Sequence, residues 1–328
     1  MTEKGPQIQE IRRLQEALSG ELIRTPVVRC AAIEGVVGGD TRVTGKLEFL
    51  QRTGTFKARG ALGTLRSLAP AQLAAGVTAV SAGNHAIATA FAAQAMGTTA
   101  KVVMMKSANP ARVRACRDYG AEVVHAEDVH AAFEVAERIQ REEGRYFLHP
   151  FEGPGVALGT GTLGLEICEQ VGNLDALIVP IGGGGLIAGV ANAVKQLAPA
   201  CEIIGVEPEG ADTMRRSRAA GEPQSIERVA TIADSLGAPF AMPYSFALAE
   251  QHVDDLVTID DAQLRRTMGF LFRAMKIVVE PACAASTAAL LWPLRQRLAG
   301  KHVGLVMCGS NIDWDTFEKQ AIFDDGIN

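Results

Sequence analysis

The segment from Lys46 to Gly60 contains a lysine whose amine could react. A strand-like run precedes a turn rich in threonine and glycine, and Lys57 stands where a helix is predicted to continue from Ala58 onward. Partial burial lowers the pKa of an ammonium and the positive end of a helix favours the neutral, nucleophilic amine. Because most lysines are solvated surface groups, this segment alone does not establish a reactive amine.

A second group of polar residues lies where an apolar strand ends and a helix begins, in the run Ser81-Ala82-Gly83-Asn84-His85. Ser81 and Asn84 can cap that helix, and the free amides at a helix start attract a carboxylate or a phosphate. An ordinary strand-to-helix turn uses the same residue types for their backbone tolerance. Both interpretations stay open at this point: a cradle for the carboxylate of a substrate, and a plain turn.

The chain also contains one run of four consecutive glycines, Gly182, Gly183, Gly184 and Gly185. The run follows a buried strand, and Leu186 continues into a helix, so successive N–H groups without side chains could bind a phosphate dianion. The second and fourth glycines with Ala188 also satisfy the dinucleotide fingerprint, and Glu207 closes the next strand where a ribose-binding acid would stand. The run therefore does not choose between the two phosphates, and a tight structural turn is the third interpretation.

The elements that must position these residues follow an alternating pattern. Short apolar runs bounded by Gly, Pro or Asn alternate with stretches of helical period, which predicts an α/β fold with a mainly parallel sheet. The strand candidates are 77–81, 100–105, 122–125, 177–181, 202–206 and 302–307. The helix candidates are 85–96, 110–119, 129–143, 163–171, 186–198 and 261–275.

Composition narrows the class of protein. A length of 328 residues with 48% hydrophobic content favours two closely joined domains. The net charge of -5 offers no cationic face, so we expect no nucleic-acid partner. No apolar run approaches the roughly 18 residues that cross a bilayer and no signal segment is evident, so we expect no membrane association and a cytoplasmic location. The six cysteines are dispersed and predict buried, reduced thiols.

Taken together and in this order, the three segments resemble those of the fold type II pyridoxal-phosphate enzymes, within the threonine dehydratase, serine dehydratase and serine racemase group. The similarity extends from Arg24-Thr-Pro26 to Cys308-Gly-Ser-Asn-Ile-Asp313. It implies two domains similar to tryptophan synthase β, each an open, mainly parallel sheet flanked by helices. We expect a large cofactor-binding domain over 1–52 and 150–328 and a smaller mobile domain over 53–149 that carries the Ser-x-Gly-Asn-His loop. We also expect the short form, without a regulatory domain.

The resemblance implies a role for each cofactor-binding residue. Lys57 would be the Schiff-base lysine of pyridoxal 5'-phosphate, Phe56 would lie beside the cofactor, and Asn84 would bond the ring hydroxyl. The amides of the glycine run and of Leu186 would bind the phosphate. Cys308 would stand against the pyridine nitrogen, where a weakly acidic thiol leaves that nitrogen largely unprotonated and favours β-elimination.

The resemblance also implies how a substrate is held. Ser81, Asn84 and His85 would surround the substrate carboxylate. Ala82 stands where serine racemase carries a serine that acts as the second acid/base. Alanine has no proton to give, so the sequence favours a dehydratase over a racemase.

The cation loop of the group is only partly kept. Glu207 and the carbonyl of Ala211 match two of its ligands, whereas Thr213 stands where an acidic ligand is common. Any metal ion is therefore expected to be weakly held.

These observations predict a lyase that removes water and ammonia from a small β-hydroxy amino acid, L-threonine and L-serine first, and leaves a 2-oxo acid. A β-hydroxyaspartate dehydratase, which would need a cationic side chain such as Arg52, Arg59 or Arg112, and a serine racemase are alternatives within the group. A NAD-dependent oxidoreductase and a non-catalytic amino-acid sensor are alternatives from other classes. The partner is a small amino-acid substrate, and we expect a homodimer or homotetramer.

Overall fold

A computed structural model of the chain describes residues 4–324, 326 and 327. The ten strands of that part are β1 (Val27–Arg29), β2 (Arg42–Leu47), β3 (Val77–Val80), β4 (Ala100–Met105), β5 (Glu122–Ala126), β6 (Tyr146–Phe147), β7 (Ala176–Pro180), β8 (Glu202–Pro208), β9 (Asp255–Ile259) and β10 (His302–Met307).

The α-helices of the described part pack on both sides of these strands. They are α1 (Ile8–Ala17), α2 (Ala31–Val37), α3 (Lys57–Ser67), α4 (Pro70–Ala75), α5 (Asn84–Ala95), α6 (Pro110–Asp118), α7 (Val129–Glu143), α8 (Pro154–Val171), α9 (Gly185–Leu197), α10 (Thr213–Ala220), α11 (Pro243–His252), α12 (Asp261–Met275), α13 (Pro281–Leu291), α14 (Arg295–Leu298) and α15 (Trp314–Gln320). None of them is long and apolar enough to cross a membrane.

The strands form two sheets. Six strands pair in the order β1-β2-β10-β7-β8-β9, and all of these pairs are parallel except β1 with β2. The other four pair in the order β5-β4-β3-β6 and are parallel throughout. The predicted α/β fold with mainly parallel sheets is confirmed. The strands of the smaller sheet all lie within 53–149, which is consistent with the expected division of the chain, although its boundaries stay a prediction.

Each sheet has its own hydrophobic core. Every residue of β7 and of α13 is buried, and neither element alternates between apolar and polar faces. A parallel strand covered by helices on both faces, and a helix enclosed on all sides, have this composition. The six cysteines are free thiols, and five of them are buried.

Three helices approach one another at backbone distance because glycines face their neighbours. A methyl group on Gly159 of α8 would lie 2.0 Å from the carbonyl oxygen of Arg59 in α3. One on Gly189 of α9 would lie 2.4 Å from the carbonyl oxygen of Ala157. Real side chains do not tolerate such contacts, so the close packing of α3, α8 and α9 requires glycine at these positions.

Four charged side chains meet inside this helix packing and form what we call the buried ion network: Lys46, Glu48, Arg59 and Glu166. Arg59 donates from Nε to Glu48 at 2.8 Å and from Nη1 to Glu166 at 2.8 Å. Lys46 donates to Glu166 at 2.5 Å and to the carbonyl oxygen of Thr25 at 2.8 Å. Two positive and two negative groups balance, so the network carries no net charge. It fixes the position of α3, which begins at the lysine singled out above.

Candidate active site

Lys57 opens α3 and faces a cavity between the two sheets. The cavity is lined by Phe56, Lys57, Asn84, Phe151, Pro180, Gly182, Gly183, Gly184, Gly185, Leu186, Ser235, Leu236, Glu280, Ala282 and Cys308. The structure thus brings together all the residues that the sequence assigned to the cofactor, although they come from four separate segments.

The side chain of Lys57 is half-buried and lines the cavity. Nζ donates a hydrogen bond of 2.6 Å to the carbonyl oxygen of Pro150 and lies 5.2 Å from the centroid of the Phe56 ring. Burial lowers the pKa of Lys57 to about 8, and nearby Cys308 and Glu280 oppose this shift. A substantial fraction of the amine is therefore neutral near pH 7 to 8, as a nucleophile or a base requires.

The glycine run lines the same cavity as Lys57. Gly184 has φ of +90° and precedes α9, so the turn adopts a left-handed conformation that favours glycine. A methyl group on Gly183 would lie 2.2 Å from the Phe151 ring, and one on Gly185 would lie 2.4 Å from the Phe151 carbonyl oxygen. Only bare backbone fits there, and its N–H groups at the start of α9 suit a phosphate.

Cys308 directly follows β10 and lines the cavity. The neighbouring thiol of Cys283 and burial raise the pKa of Cys308 well above its usual value. The carbonyl oxygen of Cys308 accepts the N–H of Phe56 at 3.1 Å, which fixes β10 to the turn before Lys57. The thiol is neutral at physiological pH, as the sequence interpretation requires.

Asn84 lies in a polar cluster that the sequence analysis missed. Its Nδ2 donates to the two carboxyl oxygens of Glu280 at 2.9 and 3.1 Å and to Ser235 at 3.1 Å. Its Oδ1 accepts from Asn311 at 2.9 Å. Burial raises the pKa of Glu280 to about 7, although the bond from Asn84 opposes this shift. The available signal was an acid directly before Pro281, which marks a helix start and gives no hint of a cavity.

Ser81, Ala82 and His85 lie at the end of β3 and in the first turn of α5, beside Asn84. The first amides of this helix have no intrahelical acceptor, so they suit a carboxylate. The hydroxyl of Ser81 accepts the N–H of Gly83 at 3.1 Å. Nε2 of His85 pairs with the carbonyl oxygen of Leu148 at 2.8 Å, and burial with the charge of Lys57 lowers the pKa of His85 to about 3. His85 is therefore a neutral, fixed group.

The turn from Leu148 to Glu152 is a further feature that the sequence analysis did not assign to the site. Nδ1 of His149 accepts the N–H groups of Phe151 at 3.3 Å and Glu152 at 3.0 Å. The carboxylate of Glu152 accepts the N–H groups of Tyr244 and Ser245 at 2.7 and 3.0 Å, which caps α11. Because this turn also bonds Lys57 through Pro150, it connects the lysine, the glycine run and α11.

The donor set around Glu207 does not favour a cation. Both oxygens of Glu207 accept backbone N–H groups, from Met214 and Arg215, at 2.8 Å. Neighbouring Asp212 forms ion pairs with Arg215 and Arg216. Ala211 is buried nearby, and in the described part no group of three or more His, Cys, Asp or Glu side chains could hold a metal ion. The predicted cation therefore stays a prediction.

The hydrogen bonds of Glu207 also argue against a dinucleotide site. Glu207 ends β8 as the fingerprint requires, but its carboxylate holds the start of α10. A NAD site would also leave Lys57 and Cys308 without a role beside the glycine run. A reactive lysine, a phosphate cradle and a neutral thiol in one cavity fit pyridoxal phosphate, which would be held by Lys57, by the amides of the glycine run and by Cys308.

Comparisons with known proteins agree with this geometry. Residues 18–309 match the family described as pyridoxal-phosphate dependent enzyme. The chain is 53% identical over 314 residues to phenylserine dehydratase of Ralstonia pickettii, covering 96% of each chain. It is 36% identical to L-threonine ammonia-lyase of Thermotoga maritima, covering 95% of this chain and 77% of the relative. The solved structure of maize serine racemase superposes with a TM-score of 0.91 at 34% identity, over 96% of this chain and 97% of that one.

Proposed function

The chain belongs to the pyridoxal-phosphate-dependent enzymes, in the family of threonine dehydratase and serine racemase, and on that basis we propose that it dehydrates and deaminates a β-hydroxy amino acid. Its cofactor is pyridoxal 5'-phosphate. The observation that carries the proposal is the amine of Lys57, with its lowered pKa, in the same cavity as the glycine run and the neutral thiol of Cys308.

The proposed reaction uses a small number of groups of this chain. The amides at the start of α5 hold the substrate carboxylate, and Lys57 takes the proton from the α-carbon. When bound, pyridoxal phosphate supplies an electron sink for the electrons of that bond. The Cβ–O bond then breaks, the hydroxyl leaves as water with one proton, and a Cα=Cβ bond forms. The released enamine takes up water and loses ammonia, which gives a 2-oxo acid.

We propose 3-phenylserine as the first substrate to test, followed by threonine and serine. The 53% identity to a phenylserine dehydratase over nearly the whole chain supports this order. Threonine and serine, the substrates expected from the sequence, differ from phenylserine only in the group on the β-carbon. The reaction is the same for all three, so they belong to one assay.

A β-hydroxyaspartate substrate has less support because its second carboxylate needs a free cation. Arg59 is fully buried and paired with two carboxylates in the ion network. Arg112 is paired with Asp234 at 3.1 Å and donates to the carbonyl oxygen of Asn311 at 3.2 Å. Arg52 is exposed and does not line the cavity.

Replacing Lys57 tests the proposed function. We expect Lys57→Ala to lower turnover by at least about a thousandfold, because both the cofactor attachment and the base are lost. Borohydride reduction of the wild type, followed by mass spectrometry, should place the cofactor on Lys57. Lys106→Ala, at an exposed lysine, is the control and should keep wild-type turnover. Near-normal turnover in Lys57→Ala would refute the assignment.

Replacing Ala82 tests the choice between dehydratase and racemase. Ala82→Ser would place a hydroxyl proton donor at the start of α5. We expect the D-enantiomer formed from L-serine to increase relative to 2-oxo acid, as measured by chiral chromatography. A wild-type enzyme that already racemises serine faster than it eliminates water would contradict the proposal.

We also propose, from the sequence expectations, a cytoplasmic enzyme that forms a homodimer or homotetramer. Light scattering of the purified holoenzyme would distinguish these assemblies from a monomer.

A further inference from the structure

The side-chain amide of Asn311 connects two parts of the active site that are distant in sequence. Its Nδ2 donates to the carbonyl oxygen of Thr53 at 2.7 Å and to Oδ1 of Asn84 at 2.9 Å. Thr53 belongs to the turn before Lys57, and Asn84 begins α5. Asn311 is half-buried and, in the part of the chain that the structure describes, is not one of the residues that line the cavity. Any effect of Asn311 on the cavity must therefore pass through its neighbours.

The turn before Lys57 has an unusual backbone. Thr53 has φ of +67° and Gly54 has φ of +72°, and a β-branched residue rarely adopts this left-handed conformation. A methyl group on Gly54 would lie 2.4 Å from Oδ1 of Asn311, so that side chain packs directly on the turn. The N–H of Ser310 also donates to the carbonyl oxygen of Gly54 at 3.0 Å. Strained residues persist only where their surroundings hold them, and Asn311 and Ser310 hold this turn.

These hydrogen bonds fix the direction in which each amide points. A backbone carbonyl can only accept, so the carbonyl oxygen of Thr53 requires the NH2 group of Asn311 to face it. The second N–H of that group then requires the oxygen of Asn84. The Nδ2 of Asn84 is thereby turned toward Glu280 and Ser235, two residues that line the cavity. Asn84 thus presents its N–H groups, and not its carbonyl oxygen, on the cavity side.

From these contacts we infer that Asn311 is a positioning residue, which orients the amide of Asn84 for the cofactor. Its effect on turnover rests on the proposed function, whereas its effect on the bound cofactor requires only the family. The resemblance implies that Asn84 bonds the ring hydroxyl, and this bond needs a donor held in one direction. Loss of Asn311 leaves the oxygen of Asn84 without its donor, so the amide keeps only the bonds at its Nδ2 and is less firmly held.

The test compares Asn311→Ala with Asn192→Ala, which removes a similar bond of 2.8 Å from Nδ2 to the carbonyl oxygen of Pro6. We expect Asn311→Ala to shift the visible absorption of the substrate-free holoenzyme in the same direction as Asn84→Ala. We also expect it to lower kcat/KM for the best substrate about two- to tenfold. Asn192→Ala should change neither quantity, even if its melting temperature falls. Asn311→Asp, which keeps the shape and loses the N–H donors, serves if Asn311→Ala fails to fold.

A double variant distinguishes positioning from a general structural role. If Asn311 acts through Asn84, the change Asn311→Ala should alter the spectrum and kcat/KM little once Asn84 is already alanine. Effects of the two substitutions that simply add would overturn the inference. An unchanged spectrum in a folded Asn311 variant would overturn it as well.

The spectrum also separates this inference from the proposed function, because it is recorded without substrate. A spectral shift shared by Asn84→Ala and Asn311→Ala, in an enzyme whose wild type dehydrates no β-hydroxy amino acid, would refute the proposed function and support the positioning role. Dehydration by the wild type, together with identical spectra in all variants, would refute the positioning role alone.

Discussion

At the scale of single residues, burial brings the pKa values of two groups in the cavity close to physiological pH, one from above and one from below. Lys57 has its pKa lowered to about 8, and Glu280 has its pKa raised to about 7. In both cases desolvation is the largest cause, because it disfavours the charged form of each group. The cavity therefore contains a base and an acid that can each change protonation state near physiological pH.

The raised pKa of Glu280 predicts a pH dependence of stability. A carboxyl that binds its proton more tightly in the folded protein stabilises the fold at low pH, and this contribution is lost as the pH rises from about 4.5 to about 7. Glu280→Gln should remove the part of this pH-dependent fall in the free energy of unfolding that Glu280 causes. That part is on the order of 3 kcal/mol or less. Urea unfolding of the cofactor-free protein at pH 5 and pH 8 measures it. Glu207 also has a raised pKa, so Glu280→Gln should still lose some stability between pH 5 and pH 8, but less than the wild type.

Glu280 and the turn at Pro150 also show which site residues could not be predicted. Lys57 and the glycine run have local patterns, a turn before a helix and bare amides after a strand, so the sequence could point to both, and their roles stay predictions. Glu280 acquires its role only by contact with Asn84, which is 196 positions away along the chain. Pro150 contributes a backbone carbonyl, and any residue type carries one.

At the scale of elements, the junction between the glycine run and α9 depends on contact with a neighbouring backbone. Gly185→Ala would place a methyl group 2.4 Å from the Phe151 carbonyl oxygen, which cannot move without shifting the turn. We expect a loss of about 1 to 3 kcal/mol in the free energy of unfolding and weaker cofactor binding. Thermal unfolding and cofactor titration measure the two effects.

Gly20→Ala is the matched control for that substitution. A methyl group on Gly20 would meet no atom within 4 Å, so stability and cofactor binding should stay at wild-type values. Equal stability and equal cofactor binding in Gly185→Ala and Gly20→Ala would contradict the close contact between the glycine run and the turn that contains Phe151.

The elements themselves were predicted well where a strand or helix is apolar and clearly bounded. The predictions 100–105, 129–143, 261–275 and 302–307 coincide with β4, α7, α12 and β10. Helix α8 was predicted to begin at 163, but it begins at Pro154 after Gly153, which has φ of +103°. Its first turns are rich in glycine, because they pack against α3 and α9, and this composition conceals the helical period.

At the scale of the whole molecule, the buried ion network joins segments that are far apart in sequence. Glu166→Gln would leave Lys46 and Arg59 with one carboxylate between them in a fully buried site. We expect a loss of about 3 to 5 kcal/mol in the free energy of unfolding, measured with urea. Glu127→Gln, which breaks the exposed pair with Lys106, should change stability by less than about 1 kcal/mol. Equal effects of the two substitutions would show that the network is solvated.

The close approach of α3, α8 and α9 has a consequence for how such an enzyme can evolve. Positions such as Gly159 and Gly189 accept no larger residue. The helix packing that positions Lys57 and the glycine run therefore tolerates no substitution at these glycines. Natural variation can therefore act only outside these helix contacts, so a change of substrate preference would have to arise within an unchanged scaffold.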